Sequence, residues 1–416
     1  MTRRTFLVLF ALGVAVRLAF VVPAWNAVPV DDASNYTTQA RAFLAGEGIR
    51  FRYPAPELLA AEGVPHRDFR AMWMPVYILF LAGHFAVFGS TAYAAVQLTQ
   101  VLIGGLSGPL LAWVARQAWD DPRLATAAGV FGAAYPPYAL FAPSLLTENL
   151  FIPLLLLGTG LWLRADRTGR RMDVVLAAAA MGAMLLVRSQ GAGFVAGFVA
   201  WVLFRTRAGW SERIARVALV GVTVLLMLSP WIVRNWIVLH AFVPLTTISG
   251  NQFGASNGGW FEDGLYYEVG YGDVMYGRHV GLGEIAQSKA LEREGWAHIR
   301  QHPASFVRWM GLRMAVFWDV IAIDYFWPYK RRTLYRRLAT YAVFALGAFG
   351  AFVRRRDSPR AVDAILVAIA GYTAPFVLFA NNTHRIRTPI DGLIGLLAVA
   401  GAAWTVARFR RGPPGA

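Results

Sequence analysis

Apolar stretches long enough to cross a bilayer recur along nearly the whole chain, and no other feature limits its fold so tightly. In hydrocarbon every backbone N–H and C=O must be satisfied within the spanning segment, so runs of roughly 18 or more apolar residues read as helices. Composition agrees: 57% of the 416 residues are hydrophobic and only 15% charged, where soluble chains carry about a quarter charged residues. The expected fold class is an all-α polytopic membrane protein.

The formal net charge of +16 does not point to nucleic acid, because the arginines fall in short clusters between apolar spans and form no basic face. Clusters at 164–171 (RADRTGRR), 205–216, 354–360 and 407–411 have the pattern of cytoplasmic loops. Lysine occurs only at Lys289 and Lys330, so the basicity is largely an arginine bias. Cysteine is absent, which excludes disulfides, thiol catalysis and cysteine metal sites. The first apolar run follows MTRR and lacks a small-residue cleavage site, so it reads as a first span.

Placing the N-terminus and the basic clusters on one side predicts spans near 5–24, 92–115, 123–143, 148–164, 173–188, 190–205, 216–236, 338–353, 361–380 and 388–406. Two further apolar stretches disturb this scheme. If 74–89 crossed, the 164–171 cluster would move outside, so 74–89 is expected to lie in the outer interface. The stretch 306–327 carries Arg308, Arg313, Asp319 and Asp324, too many ionisable groups for a lipid-facing span, and is expected to be interfacial or buried against the bundle. The organisation predicted is an N-terminal transmembrane module over 1–240 that includes an outer loop 25–91. A second outer loop follows over 241–305, then C-terminal transmembrane helices over 306–416.

Polar residues gather at the outer ends of these spans. Asp31 and Asp32 stand side by side just after the first span, leading into the amphipathic stretch ASNYTTQARAFLAGEG. Arg70, Arg188, Arg234, Arg385 and Arg387 all fall on the outer side, against the charge rule. Singly, each reads as an arginine snorkelling to lipid headgroups. As a set beside an acidic pair they suggest a buried anion site, and guanidinium forks match phosphate oxygens bidentately. Glu148, in Thr147-Glu148-Asn149, is either a helix cap or a supporting acid of the same site. Arg17, inside the first span, is either a snorkelling arginine or the partner of Glu148 or an Asp. The seven histidines show no metal-ligand spacing, so metal ligands stay unassigned.

Several motifs, in order, resemble the GT-C superfamily of membrane glycosyltransferases, within it the protein O-mannosyltransferase and aminoarabinose transferase group. They are DDASNY with ARAFLAGEG, MPVYILFLAGHFAVFG, LLTEN, LLVRSQG, the PW..RN pair of Arg234 and Asn235, the loop VPLTTISGNQFGASNG, HP..F, and HRIRTPI, which opens with His384. The resemblance spans nearly the whole chain. It implies a GT-C bundle of about ten to twelve transmembrane helices with extracytoplasmic juxtamembrane helices. It also implies an inverting glycosyltransferase that moves a sugar from a polyprenyl-phosphate donor to a hydroxyl of a protein, lipid or glycan. The active site would face the outside of a bacterial cytoplasmic membrane.

In that reading Asp31 is the catalytic base and Asp32 orients the pair or the sugar. Arg234, Arg385 and Arg387 clamp the phosphate, Arg70 and Arg188 stand behind them, and Glu148, Arg17, Asn235 and His384 support the site. No cofactor is required, because a phosphate leaves without a general acid when cations receive its charge. A divalent cation bridging Asp32, Glu148 or a loop histidine is left open. The partners are the lipid-linked donor, the acceptor and membrane lipids, with no nucleic acid. The competing reading is a transporter or flippase of a lipid-linked or anionic substrate, which would need a midplane site and repeats that the sequence does not show.

Overall fold

The computed structural model describes residues 1–53, 67–261, 273–279, 281–321, 333–379 and 384–410. Helix α1 (Arg3–Val21) is followed by α2 (Asp31–Leu44) and a hairpin of β1 (Phe51–Tyr53) and β2 (Arg67–Phe69). Then come α3 (Pro75–Phe88), α4 (Tyr93–Gly105), α5 (Ser107–Trp119) and α6 (Pro122–Ala134). The bundle continues through α7 (Glu148–Thr168), α8 (Arg171–Val187), α9 (Ala192–Arg205) and α10 (Trp210–Leu239). Two outer helices, α11 (Ile248–Asn257) and α12 (Glu284–Gln301), lead to α13 (Pro303–Phe317), α14 (Thr333–Asp357), α15 (Pro359–Thr373) and α16 (His384–Arg410).

Local signals explain most boundaries. Asp121 caps α6 by accepting from the amides of Arg123 and Leu124, and Pro122 occupies the first helical turn. The next prolines, Pro136 and Pro137, stop α6 short of the expected end at 143. Gly169 closes α7 at φ 68°, a backbone conformation open to glycine, and α8 turns back at once.

Among the described residues, six helical stretches are long and apolar enough to cross a membrane: Arg3–Ala24, Tyr93–Trp119, Trp210–Leu239, Arg337–Asp357, Pro359–Val377 and Arg385–Phe409. The larger number of spans expected from the sequence drew on apolar length together with the placement of the basic clusters. Helices α6, α8 and α9 have 13, 17 and 14 residues, and each buries one face in the bundle. Helix α3 has 14 residues, about 21 Å of rise against roughly 30 Å of hydrocarbon. Helix α13 ends at Phe317, and residues 322–327 of the expected 306–327 stretch lie outside the described residues. Its Arg313 is fully buried, donating to the carbonyl oxygens of Ser256 and Val377 and to Asn257 Oδ1.

The segments around 49–72 and 246–284 meet. Phe51 and Phe69 pair across the hairpin register and form a small core with Met72, Ile248, Ala255 and Met275. Glu284, the first residue of α12, ties them further. It accepts from the amides of Arg70 (2.6 Å) and Ala71 (3.0 Å) and from the Thr247 hydroxyl (2.5 Å). Segments some 200 residues apart thus form one cap over one end of the bundle, with Arg70 and Glu284 separated by 214 positions.

Inside the bundle, Arg17 is neither of the things expected of it. It is buried and donates to the carbonyl oxygens of Gly13 and Ala133 and to Ser107 Oγ, pinning α1 to α5 and α6. Helices α9 and α15 touch through glycines, as membrane helices do where van der Waals contact drives association. A Cβ on Gly193 would run into the Gly371 carbonyl and the Pro375 ring. Gly193→Ala is therefore expected to destabilise the folded protein by about 1–3 kcal/mol, read as a lower midpoint in thermal unfolding in detergent. An unchanged midpoint would show that this crossing is looser than its geometry.

Candidate active site

Four elements bring charge to one point beneath the cap. Asp32 lies in the first turn of α2, Glu148 opens α7, Arg188 ends α8 and Arg385 lies in the first turn of α16. Arg188 adopts an extended backbone that breaks the helix before a short turn at Ser189–Gly191.

Arg385 is the centre of the cluster. Its Nε donates to Glu148 Oε1 at 2.6 Å and its Nη2 to Oε2 at 3.3 Å, while Nη1 donates to Asp32 Oδ2 at 2.7 Å. Arg188 Nη1 lies 2.6 Å from the same Glu148 Oε1. The two form a buried ion pair. Burial is graded along the chain of charges. The Glu148 side chain is 0% exposed, Arg188 8%, Arg385 16% and Asp32 43%. The acid at the wet end is Asp32.

A polar cavity of about 80 Å³ opens here, walled by Asp32, Arg188, Arg385, Tyr36, Trp73 and Gln190, among others. Tyr36 packs edge-on against Trp73 and Tyr77 with ring centroids 5.7 and 5.3 Å apart. Burial, and then the Asp32 charge, raise its phenol well above the ordinary range, so it stays protonated and cannot act as a base. A second cavity of about 180 Å³ shares Gln190 and Thr246 with the first and continues into an apolar wall of Leu245, Pro375, Phe376 and Phe379.

The expected site residues sort into two groups. Asp32, Glu148, Arg188 and Arg385 come together. Asp31 does not join them: it is exposed, has φ 50°, and is not on the cavity wall. Arg234 is used in structure, donating to the carbonyl oxygens of Arg70 (2.6 Å) and Ile49 (2.9 Å) and to Asn235 Oδ1. Asn235 itself is buried and donates to the Val243 carbonyl. Arg387 is buried against Asp391 at 3.0 Å, and Tyr135 donates to the other oxygen of that carboxylate. Neither Arg234 nor Arg387 is on the wall of this cavity. Arg70 contributes its backbone to the cap, and its side chain is exposed away from the cavity wall. His384 opens α16, with its side chain outside the described residues.

Tyr36, Trp73, Ser189 and Gln190 were not singled out in the sequence, although they sit in or beside the motifs DDASNY, MPVYILF and LLVRSQG. Their signal was adjacency to charged residues. Among the described residues no three His, Asp or Glu side chains converge as a metal site would require. Asp32 and Glu148, the acids considered as bridges for a divalent ion, share the guanidinium of Arg385.

A family model described as dolichyl-phosphate-mannose-protein mannosyltransferase matches residues 73–234, the region that carries α3, Glu148 and Arg188. The oligosaccharyltransferase of Archaeoglobus fulgidus, in a structure tethered with an acceptor peptide, superposes with a TM-score of 0.57 at 13% identity, covering 99% of this chain and 50% of that one. Its apo form gives a TM-score of 0.58 at 13% identity, covering 98% and 51%. ArnT from Cupriavidus metallidurans, bound to undecaprenyl phosphate, gives 0.42 at 15% identity, covering 99% and 80%. No curated protein matches the sequence. The chain shares the fold of that oligosaccharyltransferase. It spans about half the length of the oligosaccharyltransferase it matches, and at 13% identity that likeness is one of fold.

Removing one partner from a buried charge cluster leaves the others uncompensated, at a cost of about 3–5 kcal/mol. Glu148→Gln should thus lower the unfolding midpoint sharply, or the yield of monodisperse protein, before any question of activity arises. Wild-type stability in that variant would mean the cluster is not a structural keystone.

Proposed function

We propose that this chain is an inverting glycosyltransferase, moving a sugar from a polyprenyl-phosphate donor to a hydroxyl acceptor, with Asp32 as the base. One observation carries the reading: the exposed carboxylate of Asp32 lies 2.7 Å from Arg385 in a polar cavity that runs into an apolar one. A lipid-linked donor needs that continuity, with a wet place for the sugar and phosphate and a dry one for the start of the chain.

In this mechanism the acceptor hydroxyl gives its proton to Asp32 as its oxygen bonds to the anomeric carbon. The bond from that carbon to the phosphate oxygen breaks on the opposite face, and its electron pair leaves with the lipid phosphate. Backside displacement inverts the centre. Arg188, and Arg385 once Asp32 turns to the acceptor, receive the phosphate charge. Glu148 holds both guanidiniums in place. Trp73 and Tyr36 supply flat apolar walls against which a sugar ring can stack, and Gln190 offers its amide to sugar hydroxyls.

The base role moves from Asp31 to its neighbour because a base must reach the acceptor proton. Asp32→Asn should reduce transfer from a polyprenyl-phosphate sugar by about 10²–10⁴-fold, with little change in the unfolding midpoint. Asp31→Asn should retain most activity. The reverse pattern would return the role to Asp31, and transfer intact in both would remove general-base catalysis from the proposal. The cations used are guanidiniums, so activity should survive treatment with EDTA. Loss of turnover restored by added Mg²⁺ or Mn²⁺ would overturn that part.

A further inference from the structure

A second polar cavity lies at the other end of the bundle. Helix α7 begins at Glu148 and runs for 21 residues, so its far end is about 30 Å from the catalytic cluster. There a cavity of about 650 Å³ opens between the ends of α7, α9 and α15 and the first turns of α10. Arg167, Arg207, Arg216 and Arg360 line it, against one carboxylate, Asp166.

The arginines in this region differ in how they are satisfied. Arg360 is locked on Asp166, which also accepts from Trp201 Nε1 at 2.8 Å. Arg216 is held by Glu212 at 2.8 Å and the Gly169 carbonyl at 2.7 Å. Arg171 pairs with Glu212, and Arg205 and Arg355 both pair with Asp363. Arg167 and Arg207, on the cavity, have no acid within ion-pair distance among the described residues. A further wall residue, Gln117, buries its side-chain Oε1 without a hydrogen-bond partner. Asn and Gln amides are assigned by their surroundings, so the terminal group can equally present its NH₂ to an acceptor.

The surroundings suit a membrane surface. Phe204 and Trp210, 69% and 61% exposed, flank the loop that carries Arg207, and aromatic side chains of this kind settle at the headgroup level. Arg167 and Arg207 are themselves exposed, and charge and position together point to the ligand chemistry.

We infer that Arg167 and Arg207, over the cavity floor formed by Arg216, Arg360 and Gln117, form a second anion site. It would take a phosphate group at the bundle end opposite the catalytic cavity. Guanidinium forks match phosphate oxygens, and the cavity is wide enough for a phosphate with its substituent. The phosphate can belong to the headgroup of an anionic membrane lipid or to a soluble phosphate.

The test uses the full chain purified in neutral detergent. Retained dioleoylphosphatidylglycerol and dioleoylphosphatidylcholine are counted by native mass spectrometry, and inorganic phosphate and pyrophosphate are titrated by thermal shift. Three proteins are compared: wild type, R167Q/R207Q, and R355Q/R356Q, which removes the same charge at the same end but outside the cavity. The expected result is preferential retention of phosphatidylglycerol that weakens about 30-fold in R167Q/R207Q, from two headgroup contacts, and little in R355Q/R356Q. If pyrophosphate or phosphate alone raises the midpoint, and only R167Q/R207Q loses the rise, the site stands and its ligand is soluble. Equal losses in the two double variants, or no preference for either phosphate ligand over phosphatidylcholine, overturn the inference.

Discussion

A carboxylate with no exposed surface cannot stay charged without partners, and Glu148 sets the terms for everything around it. It draws two guanidiniums, Arg188 and Arg385, out of solvent and holds them at 2.6 Å each. Arg385 then reaches on to Asp32, so one buried acid positions a second, wetter one. The ends of α2, α7, α8 and α16 must converge for this to happen. The cluster therefore acts both as a tie between helices and as the polar wall of a cavity.

The cap depends on the same principle with different groups. Glu284 satisfies two amides and a hydroxyl from segments on either side, and Arg234 satisfies carbonyls of Ile49 and Arg70. Most of these are loop backbone groups, some exposed and some part-buried, and their pairing ties the segments together. Their satisfaction holds Trp73 and Thr246 where the cavity needs them.

Much of the fold was legible because helix-forming apolar runs are local. The helices, the proline stop after α6 and the glycine turn after α7 follow from neighbouring residues alone. The candidate site was legible only as a pool of outlying charges. Within that pool, the pairing of Arg387 with Asp391 could have been read, since residues four apart share a helix face. The diversion of Arg234 to backbone carbonyls could not, because carbonyls carry no sequence identity. Nor could Arg17, whose acceptors Gly13 and Ala133 are backbone oxygens.

The sequence by itself determined a helical membrane chain, its basic clusters and the small set of ionisable residues set against the charge rule. Only the tertiary structure decided which acid faces which guanidinium. Arg385 lies 237 positions from Glu148 and 353 from Asp32, and it pairs with Asp32, while the neighbouring Asp31 takes φ 50° at the start of α2. Apolar burial is encoded residue by residue, whereas the partner of a buried charge is settled only when distant helices pack.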